Sequence, residues 1–270
     1  MIITHDFHIH TNLSICAKSD ATLEMYVEKA KELGLKKIAI TNHFWDHAVD
    51  GWRGKAGEFY EIQELEHINK IKSEIDEFNK NNNALKILFG SEAEYCYELH
   101  RPAISPKVAE QMEVLLVPNS HTHIVMPKNF YEPYSKHIQF MIDAFMDIVN
   151  SDVSKYITAI PHPFMAVCCP YDNRILINKI TDDQFKYCFS GAAENNIALE
   201  INLDFIRNKT LSGIYDDPII RMYRIGKECG CKFTVGTDAH NSEGYNGFTV
   251  ANSVASILDL KQDDFHPLTY

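Results

Sequence analysis

The residues best suited to chemistry in this 270-residue chain are its 13 histidines, and where they fall matters more than how many there are. His8 and His10 form a His-x-His pair, His43 ends Thr41-Asn42-His43, and Glu92 and Glu94 sit in Gly90-Ser91-Glu92-Ala93-Glu94. Further along come His121 and His123 in Asn119-Ser120-His121-Thr122-His123, and His162 between Pro161 and Pro163. Glu200-Ile201-Asn202 and Gly236-Thr237-Asp238-Ala239-His240 complete the series. Imidazole and carboxylate donors without thiolate suit Zn, Mn or Fe better than Mg. A His-x-His on extended chain sends both rings to one side, because side chains alternate with period two, and Asp238 and His240 are expected to repeat that geometry. A carboxylate such as Glu92 can bridge two cations. Together they bind phosphoryl oxygens, lower the pKa of a bridging water and support a leaving oxygen. Taken singly, each motif has an ordinary explanation: His162 in a rigid turn, Asp238 opening a helix, Glu92 and Glu94 as solvated charges. Their recurrence at one strand end after another favours a metal centre.

The elements that must position these residues follow from periodicity. Short apolar or β-branched runs predict strands at Ile2 to His8, Lys37 to Thr41, Lys86 to Glu92, Glu113 to Pro118, Tyr156 to Ile160, Ile197 to Asn202 and Lys232 to Gly236. Helical spacing predicts helices over Thr22 to Leu33, Glu58 to Asn79, Tyr134 to Val149, Thr181 to Asn195 and Pro218 to Cys229. Strands alternating with helices, without a long polar linker, imply a parallel sheet closed or nearly closed into an α/β barrel, as one domain over residues 1–270. In such a barrel every C-terminal strand end opens on the same face, so residues from His8 to His240 would meet there.

Composition narrows the partners. The chain carries 26 Lys and Arg against 37 Asp and Glu, a formal net charge of −11. That balance argues against long nucleic acid or an anionic membrane as the main partner. A small phosphorylated substrate remains compatible, because bound cations reverse the sign of a pocket locally. The N-terminal MIITHDFHIH has neither a basic n-region nor an apolar h-region, and no run approaches the ~18 apolar residues of a membrane span. Seven scattered cysteines with no Cys-x-x-Cys pair predict buried free thiols in a reducing, cytoplasmic setting.

Taken in order, from Asp6-Phe7-His8-Ile9-His10-Thr11 to Gly236-Thr237-Asp238-Ala239-His240, the motifs resemble those of the PHP (polymerase and histidinol phosphatase) family, most closely its stand-alone histidinol-phosphatase-like phosphoesterases. The resemblance implies a distorted (β/α)7 barrel with two or three divalent metals (Zn, Mn or Fe) at the C-terminal ends of the strands. By position, it implies that His8, His10, Glu92 and Asp238 hold one metal. Glu92 would bridge to a second, also held by His162 and by His121, with His123 as the alternative. His43 and His240 would hold a third. Glu200 to Arg207 resembles a family segment in which an Asn is followed five residues later by a phosphate-binding Arg. Arg207 is therefore the first choice of phosphate clamp and Arg174 the second, since a guanidinium pairs two oxygens at once.

Two departures stand out. The loop Thr11 to Asp20 lacks the further His that family phosphatases place there for the third metal; Lys18 lies near that place and is a candidate phosphate ligand. Asn42 stands where an acidic residue is usual. The implied activity is hydrolysis of a small phosphomonoester, with histidinol phosphate the family's suggestion, by a metal-bridged hydroxide, with Glu92, His162, Asp238, His240 and Arg207 as the catalytic set. The alternatives are a phosphodiester, nucleotide or amide substrate, or a non-catalytic metal-binding module.

Overall fold

The computed structural model describes residues 2–54, 57–167, 171–206 and 208–270. Seven strands lie in chain order in one sheet: His5–Asp6, Lys37–Ile40, Lys86–Ala93, Val114–Leu116, Ala159–Ile160, Ala198–Asn202 and Phe233–Gly236. Every neighbouring pair is parallel. A short strand, His43–Phe44, also pairs with the third strand and sets His43 opposite Glu92. The two ends of the sheet meet beyond the first and seventh strands. Phe7 N donates to Val235 O at 2.9 Å, Asp238 N to His8 O at 2.9 Å, and His10 N to Ala239 O at 3.0 Å. The result is the nearly closed α/β barrel that the strand count predicts.

Alternation along the strands divides the interior. Phe7, Ala39, Leu88, Val114, Leu116, Ala159 and Ala198 form a small apolar cluster, distinct from the large core beneath the helices. On the third strand the inward row continues from Leu88 through Gly90 to Glu92, and on the sixth from Ala198 to Glu200 and Asn202. The barrel therefore has an apolar floor and a polar mouth. Space inside is short. A Cβ at Gly90 would lie 2.2 Å from Val114 O, and one at Gly236 would lie 2.5 Å from the His8 Cβ.

The helices at Leu23–Glu32, Tyr134–Val149, Asp182–Glu194 and Pro218–Glu228 fall where periodicity predicts them. Their N-terminal signals are used: Thr22 Oγ1 accepts from Met25 N, Thr181 and Gln184 form a capping box, and Asp217 accepts from Ile219 N. The segment Glu58 to Asn79 is not one helix but Gly57–Ile62, Leu65–Ile68 and Lys72–Asn81, the last two joined by a 3₁₀ turn. The first break falls at buried Gln63, whose carbonyl accepts from Trp45 N at 2.8 Å and whose amide donates to Leu13 O at 3.0 Å. Tertiary bonds there replace helical ones. No helix among the described residues is long and apolar enough to cross a membrane. Of the described cysteines, Cys96, Cys188 and Cys231 are buried, Cys229 is half-buried and Cys16 is exposed.

Replacing Gly90 by Ala forces a methyl group against the fourth strand, and overpacking of this kind costs about 1–3 kcal/mol. Urea unfolding should show a lower midpoint at unchanged m. An unchanged midpoint would mean that the third and fourth strands part readily.

Candidate metal centre

Four side chains from three strand ends form a cage. His8 Nε2 lies 3.0 Å from His10 Nε2, 3.5 Å from Glu92 Oε2 and 3.5 Å from Asp238 Oδ1. His10 Nε2 lies 3.5 Å from Glu92 Oε2 and 3.4 Å from Asp238 Oδ1. Donors about 2.0–2.1 Å from a four-coordinate ion stand about 3.3–3.4 Å apart, so these spacings match the edges of a tetrahedral site. The other oxygen of Glu92 faces a second set, 3.1 Å from His162 Nε2 and 3.5 Å from His121 Nε2. A third set joins His10, His43 and His240, with donor atoms within 4.8 Å of one another. The rings of His43 and His240 pack on His10 at centroid distances of 4.3 and 4.2 Å.

The rings are oriented from behind. His8 Nδ1 bonds Glu200 Oε2 at 2.8 Å, and Asn202 Nδ2 donates to Glu200 Oε1 at 2.7 Å. His121 Nδ1 bonds Glu94 Oε2 at 2.9 Å, which also accepts from Tyr60 OH at 2.7 Å. His162 Nδ1 bonds Ser120 Oγ at 2.6 Å, and His240 Nδ1 bonds the Asp238 carbonyl at 2.8 Å. With Nδ1 so occupied, each ring is left Nε2 as its donor atom, which is the usual arrangement around a metal-binding imidazole. The backbone is strained at the same place. His162 has φ 30° and Asp238 φ 55°, both in the left-handed region that costs a non-glycine residue energy. Asp238 therefore does not share the extended geometry expected of it and His240; strand pairing has ended at Gly236.

Charge follows from this packing. Burial opposes ionisation of Glu92, yet His121, His8 and His43 hold its carboxyl well below the usual range. Burial likewise opposes the charge on Asp238, and His8 and His10 outweigh it. For His8, burial is outweighed by Glu200, Asp238 and Glu92, and its pKa stands well above the ordinary imidazole value. His43 Nδ1 lies 3.0 Å from Glu92 Oε2, yet among the described residues neither atom makes a hydrogen bond. Buried polar atoms left in this state carry a desolvation cost that a bound cation removes. The donor set thus fits divalent cations.

Beside the cage opens a pocket of about 350 Å³ lined by Cys16, His43, Phe59, His121, His123, Ile124, Val167, Asp238 and His240. His123 belongs to this wall rather than to any of the donor sets, and burial lowers its pKa to about 4. Two of the candidate phosphate-binding residues lie outside the lining of this pocket. Lys18 does not line the pocket; its backbone N donates to His240 O at 2.9 Å, and the turn before it presents Cys16 instead. A thiol therefore lines the pocket beside a centre whose donors were expected to be imidazole and carboxylate alone. Arg174 is also elsewhere, with its Nε donating to Asp217 Oδ2 at 2.8 Å and its Nη2 to Phe205 O at 2.9 Å. Arg207 lies outside the described residues. The orienting roles of Glu94 and Glu200 escape a search for ligands, although both follow from period-two alternation, one position pair from Glu92 and from Ala198. Ser120 has no such signal.

The PHP domain family model matches residues 6–202. The chain belongs to the PHP domain family. Asp238 and His240 lie beyond the matched span, so this PHP domain completes its cage with the strand that closes the barrel. No curated protein matches the chain. Among solved structures, the candidate histidinol phosphatase hisK of Listeria monocytogenes is similar with a TM-score of 0.66 at 14% identity, over 89% of this chain and 96% of its own. The histidinol phosphate phosphatase HISK of Lactococcus lactis, solved with Zn, L-histidinol and phosphate, gives 0.62 at 15% identity, over 95% and 94%. At such identities the likeness shows a shared fold.

Loss of an outer partner of a metal-binding His typically weakens metal affinity 10- to 100-fold. Glu200→Ala in this PHP domain should therefore release metal to a competing chelator at about 10- to 100-fold lower chelator strength, with the fold retained. Unchanged retention would show that the His8–Glu200 bond does not serve a metal.

Proposed function

We propose that this PHP domain is a metal-dependent phosphoesterase acting on a small phosphomonoester, with L-histidinol phosphate the first substrate to test. The observation that carries the reading is the Glu92 carboxylate, whose two oxygens face two separate sets of imidazole donors beside an open pocket. His8, His10, Glu92 and Asp238 would hold one cation, and Glu92, His121 and His162 a second. His43 and His240 belong to a third position. Cations bound there supply positive charge to phosphoryl oxygens and acidify water.

The protein's own part is positioning. Glu200, Glu94 and Ser120 fix the ring orientations, so the donors do not reorganise as charge develops. The pocket volume suits a small organic phosphate rather than a polymer. Phe59, Ile124 and Val167 give its wall an apolar part for the organic portion of the substrate, while Asp238 and His240 mark the end where phosphate would sit. Histidinol phosphate is suggested by the Lactococcus relative, which was solved with L-histidinol and phosphate.

Protein loaded with Zn or Mn should release phosphate from L-histidinol phosphate, and the Asp238→Ala variant should fall to the level of a blank. Absence of release with metal retained would exclude this substrate and direct the search to other phosphomonoesters. A full metal-dependent rate in Asp238→Ala would show that the site has been wrongly placed.

A further inference from the structure

The third donor set is short of a ligand. His10 Nε2 already faces His8, Glu92 and Asp238 in the first cage, and one lone pair serves one ion. That leaves His43 and His240, whereas zinc sites with an open position ordinarily keep three protein ligands. His43 is nine-tenths buried, and its Nδ1 has no hydrogen-bond partner among the described residues. The wall residue that can complete the set is Cys16. It lines the same pocket as His43 and His240.

The loop that carries Cys16 is anchored to both histidines. Lys18 N donates to His240 O at 2.9 Å, and Ser242 Oγ to Asp20 Oδ2 at 2.8 Å. On the other side, His43 N donates to Ser14 Oγ at 3.2 Å. Asn42 Oδ1 accepts from Thr11 N at 2.8 Å and from Ser14 Oγ at 3.1 Å. A turn closed by Ala17 N on Ser14 O at 2.9 Å then sets Cys16 between the two anchors. The residue at position 42 thus holds the loop that delivers the thiol.

Resting on the metal-centre reading above, we propose that Cys16 is the third protein ligand of the third metal position, joining His43 and His240 in a donor set of two nitrogens and one sulfur. Sulfur favours Zn, Fe(II) or Co(II) over Mn or Mg, so this position selects a softer ion than an all-oxygen-and-nitrogen site.

The test is Co(II) titration of metal-free protein, read by near-ultraviolet thiolate-to-cobalt absorption and by bound metal. Wild type should develop the absorption with its last equivalent of Co(II). Cys16→Ser, at an exposed position, should keep its far-ultraviolet circular dichroism, lose the absorption and bind one equivalent fewer. Cys16→His should recover the equivalent without the absorption. Absorption that persists in Cys16→Ser, or full Co(II) uptake by wild type without it, would overturn the proposal and leave the metallohydrolase reading standing. Failure of wild type to bind Co(II) at all would remove both.

Discussion

A single buried carboxylate organises the mouth of this barrel. Glu92 is 1% exposed, and its oxygens lie within 3.5 Å of ring nitrogens from His8, His10, His43, His121 and His162. A charge at that depth is tolerated only when it is compensated, by protonated imidazoles or by cations. The third strand delivers it by simple alternation, Leu88 and Gly90 below and Glu92 above, and Gly90 packs without a side chain against Val114 of the fourth strand. The rest of the site is arranged around where that carboxylate can be.

The first and last strands bear the mechanical consequence. Asp6 accepts from Thr237 N at 3.0 Å, from Thr237 Oγ1 at 2.6 Å and from His8 N at 3.1 Å. It thereby joins the strand that carries His8 to the segment that carries Asp238, just below the cage. Burial pushes this carboxyl up to about 7. Left-handed backbone at a non-glycine residue costs on the order of 1–3 kcal/mol, and both His162 and Asp238 adopt it. Bonds such as those of Asp6, and that of Asp238 N to His8 O, hold the strained segment in place. Stability at the mouth is set aside for geometry, as is common where side chains must converge on an ion.

The barrel was legible because its signals are local. Short apolar runs recur with helical segments between them, and the strands lie in chain order in the sheet. The convergence of His8, His10, His43, Glu92, His121, His162, Asp238 and His240 was legible for the same reason, since each ends or follows a strand. What was not legible depends on contacts between distant segments. The break at Gln63 exists because Trp45 and Leu13 take its hydrogen bonds. The turn of Asp238 away from extended geometry depends on its bond to the first strand. Cys16, rather than Lys18, reaches the pocket because of how Ser14 and Asn42 fold a loop with no periodic pattern.

Electrostatics explains why the number of cations matters. Among the described residues that line the pocket there is no Lys or Arg, while Glu92, Glu94, Glu200 and Asp238 place four carboxylates in or behind the cage. Two divalent cations would only balance those four charges, whereas a third would leave the mouth positive. A Cys16 thiolate would offset one unit of that excess without reversing it. The field of the whole chain, with its net charge of −11, opposes an anionic substrate, but salt screens it beyond about 8–10 Å. Within that distance bound cations would dominate. On the proposed reading, phosphate binding in this barrel would be a property of its metal content, and the loop that carries Cys16 would set how strongly the pocket holds an anion.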